Sequence, residues 1–441
     1  MTTVAIATLG CKVNQFESEA MIESLVKEGY EIVPPGEKAD ITIINTCTVT
    51  HRADVQSRQM ARRVRRSNAA TLLIVTGCYA QVDPEGLARL EEVNYLLGNQ
   101  EKGRMAELLP LMEGGRLPRV QVENIQEEAL FTDMPLPSFR YHTRAFLKIQ
   151  DGCDARCSYC IVPEARGRSR SLAPERVLRH LKELKEGGYQ EAVLTGIHLG
   201  AYGLDLRPPV ALEALLEQVE RGETPPRIRL TSIEPGDFSP GLIPLLSQSV
   251  KICPHLHIPI QSGDNEILKG MNRNYDRSFL SDLIQKAHEG IPGVSIGADV
   301  IAGFPGETDG GFQNTFDLIS SLPLTYLHVF PFSRRKLTAA ARFPGGVDAE
   351  KIRNRAEQLR ALGKKKRQAF YRGWLGREVR VLVEERQKKG KGWRGLSRNY
   401  IPVSIPGEDP PRKRDRVNEE VRVEVTGLTA EKGVTGRIVE G

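Results

Sequence analysis

The stretch Cys153-Asp-Ala-Arg-Cys157-Ser-Tyr159-Cys160 directly follows the apolar run Ala145-Phe-Leu-Lys-Ile-Gln. The C-x3-C-x2-C spacing places three thiolates on one short loop, where they can hold one metal centre. A four-iron cluster takes four ligands, so three thiolates leave one iron open to another molecule. S-adenosylmethionine can chelate that iron. One electron from the cluster can then split it into methionine and a 5′-deoxyadenosyl radical, which is chemistry that side chains alone do not supply.

Zinc is the alternative metal for this triplet, with a histidine as the fourth ligand. His142 and His198 are the candidates. Structural zinc sites usually consist of paired Cys-x2-Cys knuckles in small domains, whereas this triplet follows the first strand of a long series. The spacing therefore favours an iron–sulfur cluster, and zinc stays the alternative.

Composition limits the class of protein. The chain has 441 residues, of which 40% are hydrophobic and 27% charged, as in ordinary soluble proteins. Its N-terminus lacks a basic segment followed by an apolar core, so no signal peptide is expected. No stretch approaches the ~18 apolar residues of a membrane span. We therefore expect a cytoplasmic protein with no membrane partner, whose seven cysteines bind metal or catalyse rather than form disulfides.

Strand-like and helical segments alternate through the middle of the chain. The expected strands are Ala145–Gln150, Ala192–Thr195, Arg227–Ser232, His255–Ile260, Val294–Ile301 and Tyr326–Phe330. Six β/α units fit a parallel, partial (β/α)6 barrel better than a doubly wound sheet. The active face of such a barrel lies at the carboxyl ends of its strands. The cysteine triplet and the other motifs all follow strand ends, which predicts one site on one rim.

Seven residues on this rim are predicted to bind the cofactor. They are Tyr159, Thr195, Gly196, Ser232, Glu234, Gln261 and Asp299. The carboxylates of Glu234 and Asp299 suit the ribose or the amino group of S-adenosylmethionine. Ordinary strand-end hydrogen bonding explains these two residues equally well.

Residues 1–112 form a separate α/β unit with a parallel sheet. Val4–Leu9, Ile41–Asn45 and Thr71–Thr76 are strand-like, with helical segments between them. A cysteine follows each strand, namely Cys11, Cys47 and Cys78. The carboxyl ends of neighbouring parallel strands meet at one edge, so the three thiols should converge there and hold a second metal cluster. Three buried small residues are the alternative reading.

The remaining chain divides into a linker, a helix and a terminal domain. Residues 113–140 form a Pro- and Gly-rich linker, and residues 141–370 hold the barrel with a basic trailing helix. In residues 371–441, apolar and polar residues alternate in short runs, as in the strands of a small antiparallel β-barrel.

The end of the chain is basic. From residue 364 onward, 20 basic and 11 acidic residues give a net charge of +9, against +6 for the whole chain. This charge indicates RNA binding, and a solvated basic domain is the alternative. Trp393 and Tyr400 could stack on bases or fill the barrel core.

Several motifs resemble those of the methylthiotransferases in the radical S-adenosylmethionine superfamily. They are the two cysteine triplets, His255-Leu-His-Ile-Pro-Ile-Gln261-Ser-Gly263, Met271-Asn-Arg273 and Gly303-Phe-Pro-Gly-Glu307. Thr8-Leu-Gly-Cys11-Lys12-Val-Asn14 and Asn45-Thr-Cys47-Thr-Val-Thr50 are similar to the MtaB-type branch. That branch acts on tRNA carrying N6-threonylcarbamoyladenosine beside the anticodon.

The resemblance implies a role for each triplet and a reaction. Cys153, Cys157 and Cys160 would hold the radical-generating 4Fe–4S cluster, and the front triplet would hold a second 4Fe–4S cluster that carries sulfur. The reaction would insert sulfur at carbon 2 of the modified adenosine and methylate it. The terminal domain would be a TRAM-like RNA-binding barrel, and the reductant a flavodoxin or ferredoxin. The stretch Arg334–Thr338 lacks the family's Pro-Gly turn.

Three alternatives follow from the same residues. The same chemistry could act on isopentenyladenosine in tRNA or on a ribosomal-protein side chain. A third reading is a non-catalytic, metal-stabilised RNA-binding protein.

Overall fold

A computed structural model describes residues 1–138, 143–387, 392–407, 415–429 and 433–439. The expected domain boundary at 140/141, the end of the terminal domain at residue 441 and the candidate ligand His142 lie outside these ranges. Within them, no helix is both long and apolar enough to cross a bilayer.

The front of the chain folds into a six-stranded parallel sheet with the order β2-β1-β3-β4-β5-β6. Its strands are β1 (Thr3–Thr8), β2 (Glu31–Val33), β3 (Ile41–Thr46), β4 (Leu72–Gly77), β5 (Tyr95–Leu97) and β6 (Val120–Gln121). Its helices are α1 (Lys12–Lys27), α2 (His51–Ser67), α3 (Cys78–Val82), α4 (Pro84–Ala88) and α5 (Met105–Glu113). Ile41, Ile43 and Ile44 are all buried, because strand β3 is covered on both faces.

The central domain is an open barrel made of two three-stranded parallel sheets, β11-β10-β7 and β12-β13-β14. The strands are β7 (Arg144–Lys148), β10 (Glu191–Thr195), β11 (Arg227–Leu230), β12 (His255–His257), β13 (Ser295–Ala302) and β14 (Tyr326–Pro331). A short pair, β8 (Gln150–Asp151) and β9 (Arg170–Ser171), flanks the cysteine loop. The prediction of a six-stranded partial barrel is confirmed. Strands β11 and β12 end earlier than expected.

Helices connect and follow the strands of this barrel. They are α6 (Val162–Arg166), α7 (Pro174–Glu186), α8 (Leu212–Arg221), α9 (Leu242–Gln248), α10 (Asn265–Gly270), α11 (Arg277–Gly290), α12 (Asp309–Ser321) and the trailing α13 (Ala349–Arg372). Asp276 caps α11 by accepting a hydrogen bond from the backbone N–H of Phe279, which satisfies one of the free donors of the first turn.

The terminal domain is a closed barrel with the order β15-β16-β17-β19-β18. Its strands are β15 (Glu378–Arg386), β16 (Gly392–Ser397), β17 (Pro402–Pro406), β18 (Glu420–Leu428) and β19 (Val434–Ile438). Alternate valines such as Val381, Val383 and Val423 fill its core. The predicted antiparallel barrel is confirmed, with one difference: β17 and β19 close it as a parallel pair.

Buried charges attach this barrel to the central domain. Glu191 accepts hydrogen bonds from Arg227 and Arg229 on the neighbouring strand, all with side chains 0% exposed. Arg227 also pairs with Glu420 at 2.9 Å and donates to the Leu396 carbonyl at 2.9 Å. The arginines therefore connect the base of the central barrel to the terminal domain.

Candidate functional site

The second cysteine triplet lies on a tightly held loop between β8 and α6. Gly152, with φ +70°, opens the loop; a Cβ there would lie 1.8 Å from the Arg168 carbonyl oxygen, so only glycine fits. Ser158 donates from its backbone N–H to Met271 at 3.0 Å and from Oγ to Gly270 at 2.7 Å. Asn272 donates to the Arg156 carbonyl at 2.8 Å. The Met271-Asn-Arg273 motif thus positions the cysteine loop.

Arg273 joins the cysteine loop to a second strand end. Its Nη2 donates to the Tyr159 hydroxyl at 2.7 Å, and its Nη1 pairs with Glu234 at 2.6 Å. Glu234 is therefore engaged by a protein cation instead of being free for the cofactor. The sequence predicted no role for Arg273 beyond its place in the Met271-Asn-Arg273 motif.

His198 contacts the first cysteine of the loop. Its Nδ1 lies 3.5 Å from Cys153 Sγ, and its Nε2 lies 2.7 Å from Asp237 Oδ2. Burial opposes protonation of the ring, but the hydrogen bonds to Asp237 and Cys153 outweigh it and raise the pKa of His198 to about 10. His198 therefore places a protonated imidazole beside the first cysteine of the loop.

The thiol spacing tests which metal each triplet fits. Around one tetrahedral zinc ion, sulfur atoms lie about 3.8 Å apart, given Zn–S bonds of about 2.3 Å. In neither triplet do all three sulfurs lie within 4.8 Å of one another, and all six cysteines are described. Neither triplet is therefore arranged for three sulfurs around a single zinc ion, and three thiols are donors of the kind that iron–sulfur clusters take from proteins.

Two cavities adjoin at Cys160. The larger, about 670 Å³, is lined by Cys153, Cys157 and Cys160 and by residues 337–339. Its volume falls within the ~300–1,000 Å³ of small-molecule sites. The smaller, about 180 Å³, is lined by Tyr159, Cys160, Gln261 and Asp299, and by Val49 and Thr50 of the front domain. The space beside the triplet therefore extends to the front domain.

The seven residues predicted to bind the cofactor divide into two groups. Tyr159, Gln261 and Asp299 line the smaller cavity. Thr195, Gly196, Ser232 and Glu234 line neither cavity. Thr195 is buried at the end of β10, Ser232 is exposed, and a Cβ on Gly196 would lie 2.9 Å from Gln150 Oε1.

Asp299 is held by two histidines. His257 Nε2 lies 2.8 Å and His328 Nδ1 3.2 Å from its Oδ1. Burial raises the pKa of Asp299, but the two histidines outweigh it and hold this pKa well below its usual value. Asp299 is thus an ionised carboxylate at the cavity wall, and sequence reasoning did not identify its histidine partners.

The front triplet lies at the carboxyl edge of three adjacent strands. Cys11 follows β1, Cys47 follows β3, and Cys78 begins α3 after β4. Gly10, with φ +103°, lies so close that a Cβ there would be 2.7 Å from Cys47 Cβ. Burial raises the pKa of Cys47 to about 12, so cluster binding must release its proton.

A buried polar group that sequence reasoning missed faces this triplet. Arg166 of α6 donates from Nε to Cys78 Sγ at 3.2 Å and from Nη2 to Asn14 Oδ1 at 2.5 Å. Asn99 donates to the Ala165 carbonyl at 2.6 Å. Because α6 begins two residues after Cys160, the front triplet faces the barrel rim that carries the second triplet.

Two family models match the chain. The model described as "Uncharacterized protein family UPF0004" matches residues 3–98, and the Radical SAM superfamily model matches residues 147–319. A Bacillus subtilis protein named threonylcarbamoyladenosine tRNA methylthiotransferase MtaB is 38% identical over 100% of this chain and 98% of its own length. The chain belongs to the radical SAM tRNA methylthiotransferase family.

Other relatives of this methylthiotransferase carry a different substrate name. A Moorella thermoacetica protein named tRNA-2-methylthio-N(6)-dimethylallyladenosine synthase is 35% identical over 92% of this chain and 93% of its own length. Among solved structures, the radical S-adenosylmethionine methyltransferase TsrM from Kitasatospora setae, with cobalamin and a [4Fe-4S] cluster bound, matches with a TM-score of 0.59. That match covers 77% of each chain at 18% identity, so it shows the fold alone.

Family membership confirms the prediction of an enzyme, and it excludes the reading as a non-catalytic RNA-binding protein. The predicted cofactors, S-adenosylmethionine and 4Fe–4S clusters, are confirmed with the family.

Proposed function

We propose that this enzyme methylthiolates carbon 2 of N6-threonylcarbamoyladenosine beside the anticodon of tRNA. The observation that supports the proposal is that the front triplet faces the barrel rim that carries the second triplet, where Arg166, six residues after Cys160, donates to Cys78. One triplet serves S-adenosylmethionine, and the other serves the sulfur to be inserted. The relative with 38% identity bears this substrate in its name.

In this proposal, Cys153, Cys157 and Cys160 hold the cluster that binds S-adenosylmethionine, which supplies the radical chemistry needed to break a C–H bond. Cys11, Cys47 and Cys78 hold the second cluster. Arg273 and His198 keep the first loop in place, because one binds Tyr159 and the other contacts Cys153. Tyr159, Gln261 and Asp299 form the wall that faces the cofactor and the adenine.

Lys12 supports threonylcarbamoyladenosine over isopentenyladenosine. Only the threonylcarbamoyl group carries a carboxylate, and Lys12 is a half-buried cation directly after Cys11. Burial, then the charges of Arg144 and Arg229, lower the pKa of Lys12 to about 8, while Glu191 opposes them. Among the described residues its ammonium has no hydrogen bond or ion pair. In this proposal the threonylcarbamoyl carboxylate becomes its partner, although Lys12 lines neither of the two cavities and its charged neighbours belong to the base of the central barrel.

The remaining assignments belong to the same proposal. Of the four rim residues outside the cavities, Glu234 holds Arg273, whereas Thr195, Gly196 and Ser232 contact the cofactor once it is bound. The terminal barrel binds the tRNA, a flavodoxin or ferredoxin delivers the electrons, and the reaction takes place in the cytoplasm. Loss of salt-dependent tRNA binding on removal of residues 371–441 tests the role of the barrel.

Nucleoside mass spectrometry of tRNA from cells with and without the gene tests the substrate. We expect 2-methylthio-threonylcarbamoyladenosine to disappear when the gene is deleted. An unchanged peak, together with loss of the 2-methylthio-isopentenyladenosine peak, would move the assignment to the other tRNA nucleoside. If both nucleosides persist, a ribosomal protein becomes the substrate to examine.

Two cysteine variants test the division of labour between the triplets. Cys157→Ala should abolish cleavage of S-adenosylmethionine. Cys47→Ala should retain cleavage but stop methylthiolation. Methylthiolated nucleoside from the Cys47→Ala protein would contradict the role of the front triplet.

A further inference from the structure

Arg166 connects the two cysteine-bearing domains through a buried contact. Its guanidinium is 1% exposed and uses each of its nitrogens. Nε donates to Cys78 Sγ at 3.2 Å, Nη1 to Glu17, and Nη2 to both Asn14 and Glu17. A planar guanidinium held at three nitrogens has a single orientation, so the N–H that faces the sulfur is fixed in place.

The charges around Arg166 do not balance. Glu17 accepts hydrogen bonds from Lys102 at 2.6 Å and Lys148 at 3.2 Å, and Lys148 also pairs with Asp151 at 3.2 Å. Three cations therefore face two carboxylates, and none of the five residues is more than 7% exposed. An unmatched buried charge is costly unless a group of opposite sign lies beside it.

The neighbouring thiols supply that opposite sign when they bind metal. Cys78 contacts Arg166 directly, and the charge of Arg166 also acts on Cys11 and Cys47. Thiols lose their protons on binding metal, so a cluster held by three of them is negatively charged. The excess positive charge and the N–H donor are therefore directed at the front triplet.

We propose that Arg166 is a positioning residue that raises the reduction potential of the front cluster by donating an N–H to the Cys78 sulfur and placing a positive charge beside it. Hydrogen bonds to cluster sulfurs and nearby net charge are two of the factors that set such potentials. The inference rests on the proposed function, which assigns Cys11, Cys47 and Cys78 to that cluster.

The test uses the full-length protein carrying Cys153→Ala, Cys157→Ala and Cys160→Ala, so that only the front cluster is read. Redox titration followed by electron paramagnetic resonance gives its potential. Arg166→Gln removes the charge and the Nε–H donor, and the potential should shift to more negative values. Arg166→Lys keeps the charge and should shift it less. Iron content is measured in parallel.

Arg65→Gln is the matched control. The Arg65 guanidinium also lies in the front domain and binds backbone carbonyls, those of Ala69, Thr71 and Glu92, but no sulfur. Its loss should leave the potential unchanged. An Arg166→Gln protein with full iron content and an unshifted potential would overturn the inference.

Two further outcomes are decided by the same measurements. If Arg166→Gln takes up no iron, the Arg166→Lys protein decides, because an unshifted potential there rejects the inference and a negative shift supports it. If the triple-alanine parent, which keeps Arg166, holds no iron, the assignment of a cluster to the front triplet fails. The inference then fails with it. If the parent holds iron and the Arg166 variants have the same reduction potential as the parent, the inference is overturned while the cluster assignment stands.

Discussion

Arg335 Nη1 lies 2.6 Å from Asp54 Oδ2, although 281 residues separate the two in sequence. Arg335 Nη2 also donates to Thr48 Oγ1 at 2.6 Å, and Thr48 donates to Asp54 Oδ1 at 2.7 Å. Thr48 directly follows Cys47, and Arg335 lies in the loop after β14. The Arg335–Asp54 pair therefore connects the carboxyl edge of the front sheet, next to Cys47, to the loop after β14.

Arg335→Met should destabilise the contact between the front domain and the central barrel. It leaves the Asp54 carboxylate buried without its cation, a change that costs roughly 3–5 kcal/mol. Urea unfolding should show a lower midpoint, and the double variant with Asp54→Asn should recover part of the loss. Arg334→Met, at an exposed neighbouring position, should be close to neutral. Equal effects of the two arginine variants would contradict the role of the pair.

Gly10→Ala should prevent loading of the front cluster. Its Cβ would lie 2.7 Å from Cys47 Cβ and 3.1 Å from Cys47 Sγ, so that thiol must move. Iron content should fall from about eight to about four per chain if each triplet holds four irons. Gly36→Ala is the control, because Gly36 has nearly the same φ, +100°, with nothing within 4 Å of a Cβ. A normally loaded Gly10→Ala protein would show that the close packing does not position the thiol.

Lys12→Met should weaken the use of tRNA that carries threonylcarbamoyladenosine. Loss of a charge-assisted hydrogen bond to a carboxylate costs ~1.5–3 kcal/mol, which corresponds to a KM about 10- to 100-fold higher. Cleavage of S-adenosylmethionine without tRNA and iron content should stay unchanged. Equal KM values for the parent and the variant would remove Lys12 from substrate recognition.

The contact between the central and terminal barrels around Glu191 should stabilise the fold less at acidic pH. Burial raises its pKa, but Arg229 and Arg227 outweigh burial and hold the pKa of Glu191 at about 2, below its ordinary value of 4.5. A lowered folded-state pKa means that the stabilisation is present above about pH 4.5 and is lost as the pH falls toward 2. Thermal unfolding from pH 6 to pH 3 should show this decline. Glu191→Gln, which cannot ionise, should flatten that part of the profile and lower the melting temperature at pH 6.

Strands such as β10 (Glu191–Thr195) could be predicted from the sequence because they are short and mainly apolar runs. Strand β16 (Gly392–Ser397) departs from the alternation expected of the terminal barrel, because Trp393-Arg394-Gly395 does not alternate in polarity. Tyr400, predicted to stack on bases or fill the terminal barrel, instead stacks on His255 of the central domain with centroids 4.2 Å apart. That contact depends on how two domains dock, which a one-dimensional pattern does not encode.

The six cysteines were predictable from spacing and strand-end placement, but their charged neighbours were not. Arg166, Glu17 and Lys102 are almost completely buried, and a single sequence places such residues on the surface by default. Glu17 is 85 residues from Lys102 and 149 residues from Arg166 in the sequence. One signal was available: Arg227 and Arg229 occupy alternate positions of an otherwise apolar strand, where exposed charges would be out of place.

The docking of Tyr400 has a mechanical consequence for the nucleic acid. Asn399 donates to the Gly293 carbonyl, Arg229 lies 5.2 Å from the Tyr400 ring centre, and Arg398 donates to the Val250 carbonyl at 2.5 Å. These contacts fix the orientation of the terminal barrel on the central domain, so under the proposed function it would hold the tRNA at a constant distance from the cysteine-bearing rim. Under the proposed function, the modified base of the anticodon loop would then have to leave its stack to reach that rim.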